Sequence, residues 1–364
     1  MQVTIVGLPA SGKTTVFNAL TGGHAVVGSF SGGRAAPNIG VVKVPDERLD
    51  RLAELFAPRK TTPADVTYVD VAIPAGAARE GTIQADVLAE IRNADALLHV
   101  LRAFGGGVAD RPADPWRDLE ELDLEFTVAD LTVIEKRLEK LRTSGRHGSA
   151  SEREQNALEE ELLARLEPHL SEGRPLRALE LTEDEERRLR GFRFLTQKPV
   201  LVVLNIDEGQ LGEVAALEEE GRRRYDQPAS DVAALAGKIE TEIAELPAED
   251  AALFMEDLGI AEPSRGRVIR LTYALLGLFS FFTAGEDECR AWTLRTGASA
   301  VDAAGAIHSD LARGFIRAEV VTYQDLMACG SMAEARKRGQ LRSEGKAYLV
   351  QDGDVIQVLF NVAR

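Results

Sequence analysis

The sequence predicts an α/β protein: a mostly parallel sheet, an antiparallel helical hairpin inserted into it, and a small β-rich domain at the C-terminal end. Three observations carry that reading. Apolar β-branched runs alternate with helical stretches over residues 1–115 and again from 199 to about 278, the rhythm of a parallel sheet covered by helices. Between them, over about 118–197, the chain turns charged and leucine-rich at helical spacing. From 281 onward, shorter elements replace the βα rhythm.

The first strand, "VTIV", runs into "GLPASGKTTVFNAL" at 7–20. Gly7, four residues, Gly12, Lys13 and Thr14 fit the pattern G-x-x-x-x-G-K-[ST], between an apolar strand and a helix-forming run. The chemistry explains the residue types. Gly7 and Gly12 admit backbone angles and close approaches that a Cβ would block, so N–H groups can turn toward phosphate oxygens. Lys13 adds a mobile charge, the Thr14 hydroxyl can ligate Mg²⁺, and the helix N-terminus favours an anion. The expected phosphate cradle comprises Gly7, Pro9, Ala10, Ser11, Gly12, Lys13, Thr14 and Thr15.

A loop rich in Gly and Ser follows at 22–40, then the strand "VTYVD" ending at Asp70, a helix near 84–92, and "ALLHVLRAF". Asp70 stands where open α/β sheets bind ligands; it reads as a metal ligand or as a cap of the next turn. In the charged segment, Leu131, Ile134, Leu138 and Leu141 step by three and four, and Leu158, Leu162, Leu166 and Leu170 lie four apart, with "TSGRHGSAS" between the groups. That predicts two helices folded back on each other, their leucines forming the hairpin's own seam. The α/β pattern resumes with "PVLVVLNIDE" at 199–208. The expected partition is therefore a discontinuous nucleotide domain over 1–117 and 198–280, a helical insertion over 118–197 and a C-terminal domain over 281–364. The last contains "AWTLRT", an Ala-rich helix near 299–311, "FIRAEVVTY", and a hairpin turn at Asp352-Gly353.

Composition narrows the function classes. A length of 364 residues, 45% hydrophobic and 28% charged, suits a multidomain globular chain. The N-terminal strand has no basic flank or cleavage site, and "ALLGLFSFF" is too short to span a bilayer, so a cytoplasmic protein without a membrane partner is expected. Cys289 and Cys329 are too few for a disulfide framework or zinc cluster. A net charge of −16 argues against a nucleic-acid-coated protein, and no DNA partner is expected. Residues 281–364, however, hold 10 Lys and Arg against 11 Asp and Glu. There "ARKRGQLRSEGK" at 335–346 reads as an RNA contact or as a solvated face.

Several longer strings carry a resemblance: "PNIGVVKVPDERLDRLAELF" (37–56), "NIDE" (205–208), "FFTAGEDECRAWTLRTGASAVDAAGAIHSDLARGFIRAEVVTYQDL", and "LRSEGKAYLVQDGDVIQVLFNV". Over nearly its full length the chain resembles the YchF subfamily of Obg-like ATPases, P-loop NTPases with a helical insertion and a C-terminal TGS domain of β-grasp fold. The resemblance implies ATP as ligand, Mg²⁺ as cofactor, and a ribosome or RNA partner met through the C-terminal domain and the helical insertion. Asp70 would then end the Walker B strand near Mg²⁺, and Asn205, Ile206 and Glu208 would face the base. Where GTPases present Asn-Lys-x-Asp, Ile206 and Glu208 take the lysine and aspartate positions. A rigid aspartate matches guanine's donors and would meet a lone pair at adenine N1, whereas a longer glutamate can be displaced, so ATP is favoured over GTP.

The chain also departs from the family pattern. Ala10 replaces the P-loop asparagine associated with monovalent-cation activation; Arg34 stands at the aligned threonine of the first switch; Ile73 and Pro74 replace the glycine region of the second; Val108 aligns with a histidine of well-studied relatives. Lys13 and Arg34 are the candidate catalytic residues, Arg34 either as a cis arginine finger or as a solvated loop residue. Two functions follow: slow ATP hydrolysis coupled to a ribosome or RNA contact, or a nucleotide-bound switch or structural module without significant turnover.

Overall fold

The computed structural model describes residues 1–25, 37–71, 83–105, 112–144, 149–260 and 262–361. Arg34, Ile73, Pro74 and Val108 lie outside the described residues. The first sheet contains β1 (Gln2–Val6), β2 (Asn38–Lys43), β4 (Asp65–Asp70), β5 (Ala96–Arg102), β6 (Val200–Asn205) and β7 (Ser230–Leu235), in the order β2-β4-β1-β5-β6-β7. The pairs β1–β4, β1–β5, β5–β6 and β6–β7 are parallel, with Ile5 opposite Asp70, Val6 opposite His99 and Arg102 opposite Asn205. Both β5 and β6 are buried along their full length, which is why they read as continuous apolar runs. Leu97, Leu101, Val202, Leu204 and Val232 form a core with Leu119, Leu122 and Phe126 of the helix Pro115–Ser144. This register brings the ends of β1, β4, β5 and β6 to one edge, outside which such sheets bind ligands.

The chain forms two compact units, residues 1–40 with 67–268 and residues 41–66 with 269–364. Residues 41–66, which the sequence reading grouped with the nucleotide domain, thus pack with the C-terminal part. Its sheet runs β11-β10-β12-β8-β9-β3, where β3 is Lys60–Thr62, β8 Leu278–Thr283, β9 Glu288–Arg295, β10 Phe315–Thr322, β11 Arg342–Glu344 and β12 Asp354–Phe360. Thr61 pairs in parallel with Cys289, so a three-residue polar strand completes a sheet whose other strands lie more than 200 residues away. On one face Ala303 and Ala304 of the helix Ala300–Ile307 pack against Phe281, Ala318 and Ile356. The helix Glu47–Phe56 buries Leu49 and Leu52 in this unit. Arg48 there donates to both carboxylate oxygens of Asp352 (2.8 and 3.0 Å) and lies over the Phe282 ring.

Two expectations change in this unit. Asp352-Gly353 is a turn, but it does not join a hairpin, because β12 pairs with β10 and β8. The preceding run is held instead by Leu349 bridging Ser299 and by Val350 N–H donating to Ala298 O (3.0 Å). The Ala-rich helix is two helices, Ala300–Ile307 and Ser309–Arg313. Between them His308 is extended, and its Nδ1 accepts from Asp310 N–H (3.1 Å), capping the second.

The inserted hairpin pairs the helices Pro115–Ser144 and Ala150–Ser171. Ile134, Leu138, Leu141, Leu162, Leu166 and Leu170 bury together, as their spacing predicts, and Leu131 packs at the edge. Leu158 does not join them; it is 41% exposed. Next to it an ion pair clasps the helices instead, Arg137 donating to both Glu159 oxygens at 2.7 and 2.8 Å. At the hairpin's root the buried carboxylate of Asp130 accepts from Leu195 N–H, Thr196 N–H, Thr196 Oγ1 and Arg92 Nη1 at 2.8–3.1 Å. Burial raises its pKa and these bonds oppose the rise.

Candidate nucleotide site

The glycine-rich loop between β1 and the helix Lys13–Thr21 is built by steric necessity. A Cβ on Gly7 would lie 2.4 Å from Val100 O, and one on Gly12, at φ +88°, would lie 2.1 Å from Asn205 Nδ2. Ala10 occupies the left-handed region at φ +66°, where an L-residue without a short polar side chain is strained. Gly12 is the helix N-cap and supplies no side-chain cap. The first-turn N–H groups therefore keep their capacity to bind an anion. Ser11 Oγ is buried and has no hydrogen-bond partner among the described residues.

Lys13 Nζ donates to Gly7 O (2.9 Å) and Leu8 O (3.2 Å), so the ammonium lies across its own loop. Burial lowers its pKa to about 8, partly offset by Asp70, which leaves it largely protonated at neutral pH. Its carbonyl partners are neutral acceptors. A phosphate oxygen would replace them with a stronger charge-assisted bond.

Asp70 stands at the end of β4 and is buried. Its Oδ2 accepts from Thr14 Oγ1 (2.9 Å) and from Asn38 Nδ2 (3.2 Å), while Oδ1 is buried without a hydrogen-bond partner among the described residues. An orphaned carboxylate oxygen beside a hydroxyl is a hard-oxygen donor set, and it fits Mg²⁺.

The β6 end closes the other side. Asn205 Nδ2 donates to Ser11 O (3.0 Å) and Asn205 Oδ1 accepts from Gly237 N–H (3.1 Å), so one buried carboxamide ties the glycine loop to the turn after β7. The Ile206 side chain lies in the hydrophobic core, leaving only its backbone to face a ligand. Glu208 is exposed. Between them Asp207 accepts from Gly105 N–H (2.7 Å), binding the loop after β5 to the same corner. His99, on β5, is buried with Nε2 unpartnered among the described residues; burial, Arg177 and Lys13 lower its pKa to about 3.

Geometry thus brings Gly7, Gly12, Lys13, Thr14, Asp70 and Asn205 together. Pro9, Ala10, Ser11 and Thr15 belong to the same loop and first helical turn. Asn38 and Gly237 are among the residues of the corner that escaped sequence reasoning as site residues. Asn38 lies within the quoted "PNIG" string, and Gly237 opens a helix directly after β7, a strand–glycine–helix junction like that at Gly12. In the C-terminal unit much of the basic segment is neutralised: Arg336 pairs with Glu319 (2.6 Å), and Arg338 with Glu334 (2.8 Å). No helix among the described residues is long and apolar enough to cross a membrane.

Fold and corner together define the class of P-loop nucleotide-binding proteins of the GTPase type. Residues 2–139 match the family described as "50S ribosome-binding GTPase", and residues 278–361 match the YchF-GTPase C-terminal family, described as "Protein of unknown function (DUF933)". The chain is 41% identical over 365 residues to "Ribosome-binding ATPase YchF" of Bacillus subtilis (strain 168), covering 98% of each. It is 37% identical over 371 residues to the protein of the same name from Escherichia coli O157:H7, again covering 98% of each. The solved structure titled "Structure of the Schizosaccharomyces pombe YchF GTPase" superposes with a TM-score of 0.84 at 27% identity, over 99% of this chain and 97% of that one. The chain belongs to the YchF family.

Proposed function

We propose that the chain is an Mg²⁺-dependent nucleotide-binding protein that binds ATP and hydrolyses it slowly, and that nucleotide state regulates contact with the ribosome or its RNA in the cytoplasm. One observation carries the reading: Lys13, the uncapped first helical turn and the half-satisfied Asp70 converge on a single corner. Gly7 to Thr15 would hold the triphosphate, Thr14 and Asp70 the metal, and Asn205, Ile206 and Glu208 the base side. Mg²⁺ held by Thr14 and Asp70 would supply positive charge against the charge developing on the phosphates. The ammonium of Lys13 would exchange its carbonyls for phosphate oxygens, and the loop amides would fix the chain of phosphates.

The names of the relatives divide between ATPase and GTPase. Base chemistry favours ATP here, because Ile206 offers no side-chain ammonium and Glu208 is exposed, with room to be displaced from the position a rigid aspartate would take against guanine. The partner reading rests on the relatives' names, and we assign the contact to the C-terminal domain (281–364) and the helical insertion (118–197), leaving nucleotide binding to the domain of 1–117 and 198–280.

A second reading, nucleotide binding without turnover, is favoured by the sequence of the second switch, where Pro74 has no N–H to offer a γ-phosphate. Steady-state phosphate release with ATP and GTP separates the two. ATP turnover that disappears in Lys13→Ala supports the ATPase. Stoichiometric ATP binding with no release above background supports the switch, and a preference for GTP in competition would reject the base assignment.

A further inference from the structure

We infer that Asn38 is a positioning residue of the metal site: its carboxamide turns the Asp70 carboxylate so that Oδ1 is presented to a divalent cation. The inference rests on the nucleotide reading above. It begins from lone pairs. An ionised carboxylate only accepts hydrogen bonds, so the Asn38 amide must direct its NH₂, not its oxygen, at Asp70. Asp70 Oδ2 receives two donors, Thr14 Oγ1 at 2.9 Å and Asn38 Nδ2 at 3.2 Å, while Oδ1 receives none among the described residues. That asymmetry is costly in a buried group unless something positive completes it.

Thr14 cannot set this orientation alone. Rotation of a carboxyl group about its last bond is broad and roughly two-fold, so one hydrogen bond leaves the group free to pivot. The Thr14 hydroxyl is also the other expected metal ligand, so it would serve the cation as well as Asp70. Asn38 is attached to a different strand, the start of β2, and carries no charge that would compete with the cation. Its bond to Asp70 closes the ends of the chain excursion from β2 to β4, since Asn38 opens the first strand and Asp70 ends the second.

Outer partners of metal ligands usually contribute about 10- to 100-fold in metal affinity. The test uses Mn²⁺ as spectroscopic probe, titrated into the full-length protein with saturating non-hydrolysable ATP analogue and read by electron paramagnetic resonance. Calorimetric ATP affinity in EDTA is measured in parallel. Asn38→Ala should weaken Mn²⁺ by about 10- to 100-fold and leave ATP affinity in EDTA within about twofold of wild type. Asn38→Leu keeps most of the volume and removes the donor without adding charge; it should lose about as much Mn²⁺ affinity as the alanine variant, which a space-filling role would not produce. Mn²⁺ affinity within twofold of wild type in Asn38→Ala would overturn the inference. So would an equal loss of ATP affinity with and without metal, which would mark general damage to the site. Wild-type protein that binds neither ATP nor Mn²⁺ would instead remove the nucleotide reading itself.

Discussion

Replacing Asn205 with alanine tests how the corner is held together. Asn205 is 4% exposed, and its carboxamide makes two buried bonds, donating to Ser11 O at 3.0 Å and accepting from Gly237 N–H at 3.1 Å. Alanine removes both and leaves a carbonyl and an N–H to find other partners. A buried neutral hydrogen bond contributes about 1 kcal/mol net and an orphaned buried partner costs about 1–3 kcal/mol, so the loss should total about 2–4 kcal/mol. Asn205→Asp separates the two halves of the clamp. An aspartate oxygen still accepts from Gly237, but its second oxygen faces the Ser11 carbonyl, acceptor against acceptor, so this variant should be no more stable than alanine. Urea unfolding followed by circular dichroism gives the stability change, and ATP calorimetry gives the functional change, expected as at least a tenfold weakening when the glycine loop loses its tether. A stability change below about 0.5 kcal/mol together with unchanged ATP affinity would show that the carboxamide does not organise the loop, and the reasoning would fail.

Three other outcomes follow from single residues. Gly7→Ala sets a Cβ 2.4 Å from a backbone oxygen that cannot swing aside, so ATP affinity should fall by more than tenfold while circular dichroism keeps the α/β signature. Ala10→Asn places a side chain tolerant of positive φ at an exposed position and should raise stability by about 0.5–1 kcal/mol in the same urea assay, whereas an unchanged or lower midpoint would contradict the strain. His99 must stay neutral in the fold, since burial lowers its pKa to about 3, while the unfolded chain takes up a proton below 6.5. The unfolded state then binds more protons, so stability falls with decreasing pH below 6.5, by about 1.6 kcal/mol between pH 6.5 and 5. His99→Leu should flatten that part of the pH profile; an equally steep profile in the variant would assign the dependence elsewhere.

What could be read before the structure was local, and what could not was made by distant segments. The βα alternation and the glycine loop announce themselves because strand, turn and helix signals lie within twenty residues of each other. Ile134, Leu138, Leu162 and Leu166 mark the hairpin seam for the same reason. Leu158 keeps the spacing and misses the seam, because an Arg137–Glu159 pair closes the helices at that level. The strand Lys60–Thr62 has no apolar pattern; its identity comes from Glu288, Cys289 and Arg290 across the sheet. Asp352-Gly353 carries a hairpin signature, yet the run before it is engaged with Ala298 and Ser299. At the site, Lys13, Thr14 and Asp70 were predictable as types at positions. The roles of Asn38 and of Asn205 as clamps were not, since each depends on a hydrogen bond to a residue 32 or 194 positions away.

The glycine loop, the first turn of the helix Lys13–Thr21 and the Lys13 ammonium are the proposed seat for a nucleotide's phosphates. Calorimetric titration of ATP with Mg²⁺ into wild-type and Lys13→Ala protein tests it most directly. One site per chain with affinity at least tenfold weaker in the variant is the predicted result. Absence of binding to the wild type, or equal affinity in both, would contradict it.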